Sequence, residues 1–222
     1  LVNPTNAIFD YFGKVYDDRK QEPRDDVASV IAHAEVNGKP VERFEAMSYY
    51  LLLGLAGHDT TNGTISGGML ALMQNPAELA KLKANPDLIK PAIDEFLRWE
   101  RPTKPSMRTA AEDYEMRGQT IRKGDGLLLV YPSGNRDEEA FADPFSFRID
   151  RTPNPHLTFG HGAHKCLGMH LARMEMEALF RELIGRLESV EQAGPALRPP
   201  AIVTASLMEP PRIPIRLRPA PK

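Results

Sequence analysis

One stretch sets the scale of any fold this chain can adopt. From Val41 to about Asn75 the sequence keeps a helical pattern, and Pro76 stops it. At about 1.5 Å per residue such a helix is about 50 Å long, enough to cross a whole domain. Its middle is unusual. "AGHDTTNGTISGG" places glycines, a β-branched threonine pair and an aspartate where a helix is normally strongest.

The elements around this helix are short. Residues 7–36 read as one or two helices, split near "QEPRDD", where Pro23 blocks continuation and the aspartates suit a helix start. "NGKPV" at 37–41 is a turn, and "PAELAKLKANP" and "PDLIKPAIDEFLRWE" read as two helices. "YEMRGQTIRKGDGLLLVYPSGNRD" alternates turn residues with short apolar runs, as small strands do. Residues 138–157 are ordered loop, and an amphipathic helix runs from about Cys166 to Leu187. In the proline-dense tail, "IVTASLM" and "IPIRL" read as strands. The expected class is mainly α with small β-sheets.

Composition narrows the setting. A net charge of -2 gives no global pull toward nucleic acid or an anionic membrane. The longest apolar run, "YYLLLGLAG", falls short of the roughly 20 residues that span a bilayer. A lone cysteine excludes an internal disulfide and points to a reducing cytoplasm. The opening "LVNPTNAIFDYF" has no initiator methionine, so the natural start is expected to lie upstream.

That cysteine, Cys166, sits in "TFGHGAHKCLG". A lone cysteine is most often an inert buried hydrophobe. Here Gly160, Gly162 and Gly168 let the backbone approach a flat ligand, and the helix that follows favours negative charge at its start. Three tasks suit such a thiol: nucleophile, metal ligand or haem ligand. His161, His164, Cys166 and His170 have spacings that zinc could use, but structural zinc sites usually draw on two separated pairs. Glu95 and Arg98 are three apart on one helix and can pair, an arrangement worth under ~1 kcal/mol on a surface. Thr60 would ordinarily bond back to a carbonyl one turn earlier, with Asp59 facing solvent. Ala56 and Gly57 nevertheless leave space beside Thr60 for a small ligand, with a hydroxyl and a carboxyl at hand for proton delivery.

Order and spacing join these signals. "AGHDTT", "EFLR", "MRTA" and "FGHGAHKCLG" followed by a helix resemble the haem-thiolate monooxygenases, the cytochrome P-450 family. The loop matches F-x-x-G-x-H-x-C-x-G at Phe159, Gly162, His164, Cys166 and Gly168. The resemblance covers residues 1–222 as the C-terminal half of a single haem-binding domain, with the N-terminal half missing. It implies haem b as cofactor and Cys166 as the axial ligand to iron. Phe159 would pack on the proximal face of the ring, while His164 and Arg108 contact haem propionates. It further implies Thr60 and Asp59 as a proton relay, and Leu52, Leu55 and Ala56 facing a small hydrophobic substrate. "PTKPSM" at 102–107 and "SLM" at 206–208 would line the same pocket. Glu95, Arg98 and Arg151 would form a buried network that holds the haem loop.

"MRTA", "YPSGNRDEE" and "HLTFGHGAH" look most like soluble bacterial members that hydroxylate terpenes. The implied reaction inserts one oxygen atom of O2 into a small apolar substrate, with electrons from NAD(P)H through a ferredoxin. Lys165, Arg173 and Arg148 would offer that donor a basic face. A haem-thiolate sensor without turnover is the alternative, though it needs no relay such as Asp59 and Thr60; an inactive fragment and a zinc protein are the others.

Overall fold

The computed structural model describes residues 4–100, 102–103, 105–196 and 213–220. "SLM" at 206–208, Lys104 and the strand expected at "IVTASLM" lie outside them. The chain divides into two compact units, Leu1–His58 and Asp59–Lys222.

In the first unit, α1 (Pro4–Gln21) and α2 (Val27–Ala32) are separated at Pro23. Asp26 starts α2 by accepting the Ser29 N–H at 2.7 Å. That bond first, and the Arg19 guanidinium second, hold its carboxyl down at about 2. Helix was expected as far as residue 36, but the chain leaves it at Ala32 and forms a hairpin of β1 (Glu35–Val36) and β2 (Lys39–Pro40). Asn37 and Gly38 turn it at φ 54° and 73°, a backbone that a helix cannot hold. The long helix is α3 (Arg43–Gln74), and it runs on into the second unit. In the first unit its Tyr50 hydroxyl donates to the Ala28 carbonyl at 2.7 Å, which fixes α3 to α2.

The second unit explains the glycines at the end of α3. A Cβ on Gly67 would lie 2.1 Å from the Glu100 side chain, and one on Gly68 2.6 Å from the Phe96 ring. The pair lets α5 (Ile89–Glu100) cross at close range. Between them come α4 (Pro76–Ala84), opened by Pro76, and a 3-10 turn at Pro86–Leu88.

Helix α5 buries Ile89, Ala92, Ile93, Phe96 and Leu97. A later helix, running Met169–Arg186, answers with Met176, Phe180 and Ile184. The Phe96 ring lies 4.9 Å from Phe180 and 6.1 Å from Phe147, so three segments meet at one aromatic group. Each such side chain contributes about 1.5–3 kcal/mol by leaving water.

The sheets are small. β3 (Pro105–Thr109) pairs antiparallel with β6 (Gly126–Val130), and β4 (Tyr114–Met116) with β5 (Gln119–Ile121). A single turn, α6 (Tyr131–Gly134), follows β6 and leads into the long loop before α7 (Met169–Arg186). β7 (Leu187–Gln192) then pairs with β8 (Ile215–Pro219). β3 and β7 were not expected as strands; distant partners supply their ladders. Among the described residues, no helix is long and apolar enough to cross a membrane.

Candidate functional site

The cysteine loop is closed by its own backbone. The Cys166 N–H donates to the Phe159 carbonyl at 2.8 Å, and the Gly160 N–H to Leu157 O at 2.8 Å. Gly160 and Gly162 take φ 70° and 69°, the left-handed region that favours glycine. A 3-10 turn at Gly162–His164 brings the chain round to Cys166. The free thiol is exposed, and so is every residue from 161 to 168, with Leu167 at 86%. A Cβ on Gly162 or Gly168 would meet no described atom within 4 Å. Helix α7 starts at Met169 behind Gly168, so Cys166 precedes the helix where it was expected to begin it.

Under the loop lies a fully buried ionic core. Arg98 donates from Nε and Nη2 to the two Glu95 oxygens, each at 2.7 Å, and both side chains are 0% exposed. Arg151 reaches Glu95 Oε2 at 3.2 Å, and Glu95 also accepts from the Arg148 N–H and from Asn154. Carbonyls of the 142–146 segment and of Asn135 take most of the remaining guanidinium hydrogens. Arg98 donates to Pro144 O and Ser146 O, Arg151 to Ala142 O, Asp143 O and Ser146 O. A buried ion pair is tolerable only when its spare hydrogens and lone pairs are satisfied in this way.

Asn135 couples that core to the cysteine loop. Buried completely, it donates to Thr158 Oγ1 at 2.9 Å and accepts the Leu157 N–H at 2.7 Å. Thr158 in turn donates to Leu97 O at 2.8 Å. The segment entering the loop is thus bonded to α5 directly through Thr158 and, by way of Asn135, to the Arg98 carbonyl. Sequence reasoning missed Asn135 and Asn154. Their side-chain bonds span 22 to 59 positions, and no local pattern carries them.

Arg108, half-buried on β3, donates to the Met107 carbonyl at 2.8 Å and to Ser106 Oγ at 3.4 Å. Ser106 Oγ shares a 2.7 Å bond with the Tyr131 hydroxyl, which borders Gly160. His164 is exposed at the loop's turn.

Of the three surface cations expected around the loop, Arg173 is part-exposed and paired. It is bound by Asp94 at 2.8 Å and lies over the Phe159 ring. Arg148 is half-exposed beside Asp150, and Lys165 is exposed.

On α3, Asp59 is exposed and Thr60 half-buried; the Thr60 carbonyl accepts the Thr64 hydroxyl at 3.0 Å. In the first unit Leu52 and Leu55 are each 59% exposed, and Ala56 is exposed. Leu55 borders an apolar groove of about 360 Å³ formed with Tyr11, Phe12 and Leu51. The zinc alternative has no geometry behind it. Among the described residues, no three histidine, cysteine or acidic side chains converge on one point.

Residues 5–215 match the Cytochrome P450 family. The chain belongs to that family. Cytochrome P450-terp of Pseudomonas sp is 45% identical over 210 residues, 95% of this chain and 48% of the relative. Biotin biosynthesis cytochrome P450 of Bacillus subtilis (strain 168) is 43% identical, covering 82% of this chain and 46% of the relative. In structure, this P450 chain is similar to CYP108D1 from Novosphingobium aromaticivorans DSM12444, at TM-score 0.88 and 39% identity. That match covers 97% of this chain and 52% of the other. The chain therefore spans about half the length of the relatives it matches.

P450 family members bind haem b, and the geometry here fits that group. An exposed thiol stands on a loop where Gly162 and Gly168 are open, beside an apolar Leu167, with its own N–H bonded to the Phe159 carbonyl. At Gly162 and Gly168 a flat macrocycle can approach the backbone itself.

Proposed function

We propose that residues 1–222 are the C-terminal portion of a single haem-binding monooxygenase domain, with Cys166 as the thiolate that would hold the haem iron. The observation that carries this reading is the exposed Cys166 thiol on a glycine loop bonded to a buried ionic core. When bound, haem b supplies the iron at which O2 is activated for insertion into substrate, and a thiolate ligand favours O–O cleavage.

The chain's residues take distinct parts. Phe159, Gly162 and Gly168 would shape the surface that receives the haem, and Arg108 and His164 would neutralise its propionates. Thr60 would hold a proton on the oxygen-binding side, and Asp59 would resupply it. Leu52, Leu55 and Ala56 face the substrate with apolar surface. Glu95, Arg98 and Arg151 do no chemistry; they hold the loop.

The substrate of the whole protein is then a small apolar compound, with terpenoids the class suggested by "MRTA", "YPSGNRDEE" and "HLTFGHGAH". Electrons come from NAD(P)H through a ferredoxin, and the setting is the cytoplasm. A sensor without turnover would leave the Asp59–Thr60 pair without a task.

The test is a carbon monoxide difference spectrum of the reduced, haem-loaded protein, followed by turnover of a terpenoid panel under labelled O2. The account expects the family's red-shifted band and one labelled oxygen in the product. An unshifted band overturns the thiolate ligand, and label-free products overturn the monooxygenase.

A further inference from the structure

A second polar cluster lies beneath the cysteine loop, apart from the Glu95 core. Asp94 on α5 accepts two bonds at Oδ1 from Arg173 of α7, from Nε at 3.0 Å and Nη2 at 2.8 Å. His156 Nε2 faces the same oxygen at 3.4 Å. The His156 side chain is 3% exposed, and its Nδ1 has no partner among the described residues. Asp94 is therefore the acceptor that orients this ring, and Nε2 must be the nitrogen that carries the hydrogen.

Both groups press on one side chain. The Arg173 guanidinium lies 4.6 Å from the Phe159 ring centroid, and the His156 ring 5.8 Å away, tilted by 53°. A planar guanidinium held by a carboxylate and stacked on an aromatic face has little freedom left. The carbonyl of that same Phe159 receives the Cys166 N–H at 2.8 Å. A path of direct contacts thus runs from a carboxylate on α5 to the amide beside the sulfur.

We propose that Asp94, His156 and Arg173 are positioning residues that clamp Phe159 and, through the Cys166 N–H bond to its carbonyl, hold the backbone that carries the sulfur. The inference rests on the haem-thiolate reading and deepens it. How fully a ligating sulfur donates depends on its being held in place, and the groups that orient a ligand tune the potential of the metal. With Phe159 clamped, the Cys166 N–H has a fixed acceptor and the sulfur is held. With the clamp loosened, that backbone can move and the sulfur would donate less to the iron.

The electrostatics agree with this arrangement. Burial pushes the Asp94 carboxyl up, but the bonds from His156 and Arg173 and the charge of Arg173 more than offset it and leave it lowered. Asp94 is thus a carboxylate wherever the clamp operates near neutral pH.

The experiment compares the haem-loaded wild type with Arg173→Gln, Arg173→Lys and Arg181→Gln by redox titration and by warming the reduced carbon monoxide complex. Arg181 pairs with Glu177 on the exposed face of the same helix and serves as the control. Arg173→Gln is expected to move the reduction potential to a more positive value and to lose the red-shifted band several-fold faster. Arg173→Lys keeps the charge but cannot stack a plane on Phe159. It is expected to shift the potential in the same direction by less, and it remains informative if Arg173→Gln yields no holoprotein. Arg181→Gln is expected to match the wild type. Arg173 variants that match the wild type in both readouts, or an equal shift in Arg181→Gln, overturn the clamp alone. A wild type without the red-shifted band overturns the haem-thiolate reading and the clamp with it.

Discussion

Arg98 and Asn135 bond each other in both directions: Arg98 Nη1 donates to the Asn135 carbonyl at 3.0 Å, and Asn135 Nδ2 donates to the Arg98 carbonyl at 3.2 Å. This reciprocal pair links the buried ionic core to the segment that enters the cysteine loop. Asn135→Leu keeps the volume but removes the acceptor of the Leu157 N–H and the donors to Thr158 and Arg98. Each buried group left unpaired costs about 1–3 kcal/mol, so the expected loss is about 2–4 kcal/mol. Urea unfolding of the haem-loaded protein reads it, and an unchanged midpoint contradicts the linkage.

Removing Glu95 is expected to be worse. Glu95→Ala leaves Arg98 and Arg151 buried without a counter-charge, at a cost of about 3–5 kcal/mol. Little soluble holoprotein is expected. Glu182→Ala, which breaks an exposed pair with Arg186 on α7, is the comparison and is expected to behave almost as wild type. Equal yields and haem contents for the two variants contradict a structural role for the buried core.

How far the sequence foretold this arrangement depends on the range of each interaction. The cysteine loop was legible because its glycines, its thiol and the helix after it are neighbours in the chain. The pairing of Glu95 with Arg98 was legible from their spacing of three, but its burial was not, because the 142–146 segment that covers them lies some 45 positions away. Asn135 and Asp94 look like ordinary turn and helix-surface residues until Thr158 and Arg173 are folded against them. Gly67 and Gly68 looked like helix weakness, and the approach of Phe96 and Glu100 turns them into a packing requirement. β7 failed to announce itself because "LESVEQ" is polar and gains its ladder only from β8.

The relay assigned to α3 has a kinetic signature. Thr60→Ala is expected to keep consuming NAD(P)H while releasing more hydrogen peroxide and less product, and Asp59→Asn to slow turnover. Product and peroxide are measured against NAD(P)H consumed. Unchanged coupling in the first and unchanged rate in the second contradict the relay.

Asp94 ties stability to acid pH. Its carboxyl is lowered in the fold from an ordinary 3.8, so the stability it lends is fully present above that value. As pH falls through the lower folded value, protonation removes that contribution. Wild type and Asp94→Asn are therefore expected to differ most near neutral pH and to converge below the ordinary carboxylate value. Urea midpoints measured across this range test the sign, and a gap that stays constant into acid contradicts it.

The central claim is the ligation by Cys166, and one substitution addresses it directly. Cys166→Ser removes the only cysteine while keeping the loop's glycines and its backbone bond to Phe159. The measurement is the carbon monoxide difference spectrum of the reduced variant beside that of the wild type, each loaded with haem. The account predicts a red-shifted band in the wild type and its complete loss in Cys166→Ser; a variant that keeps the band contradicts it.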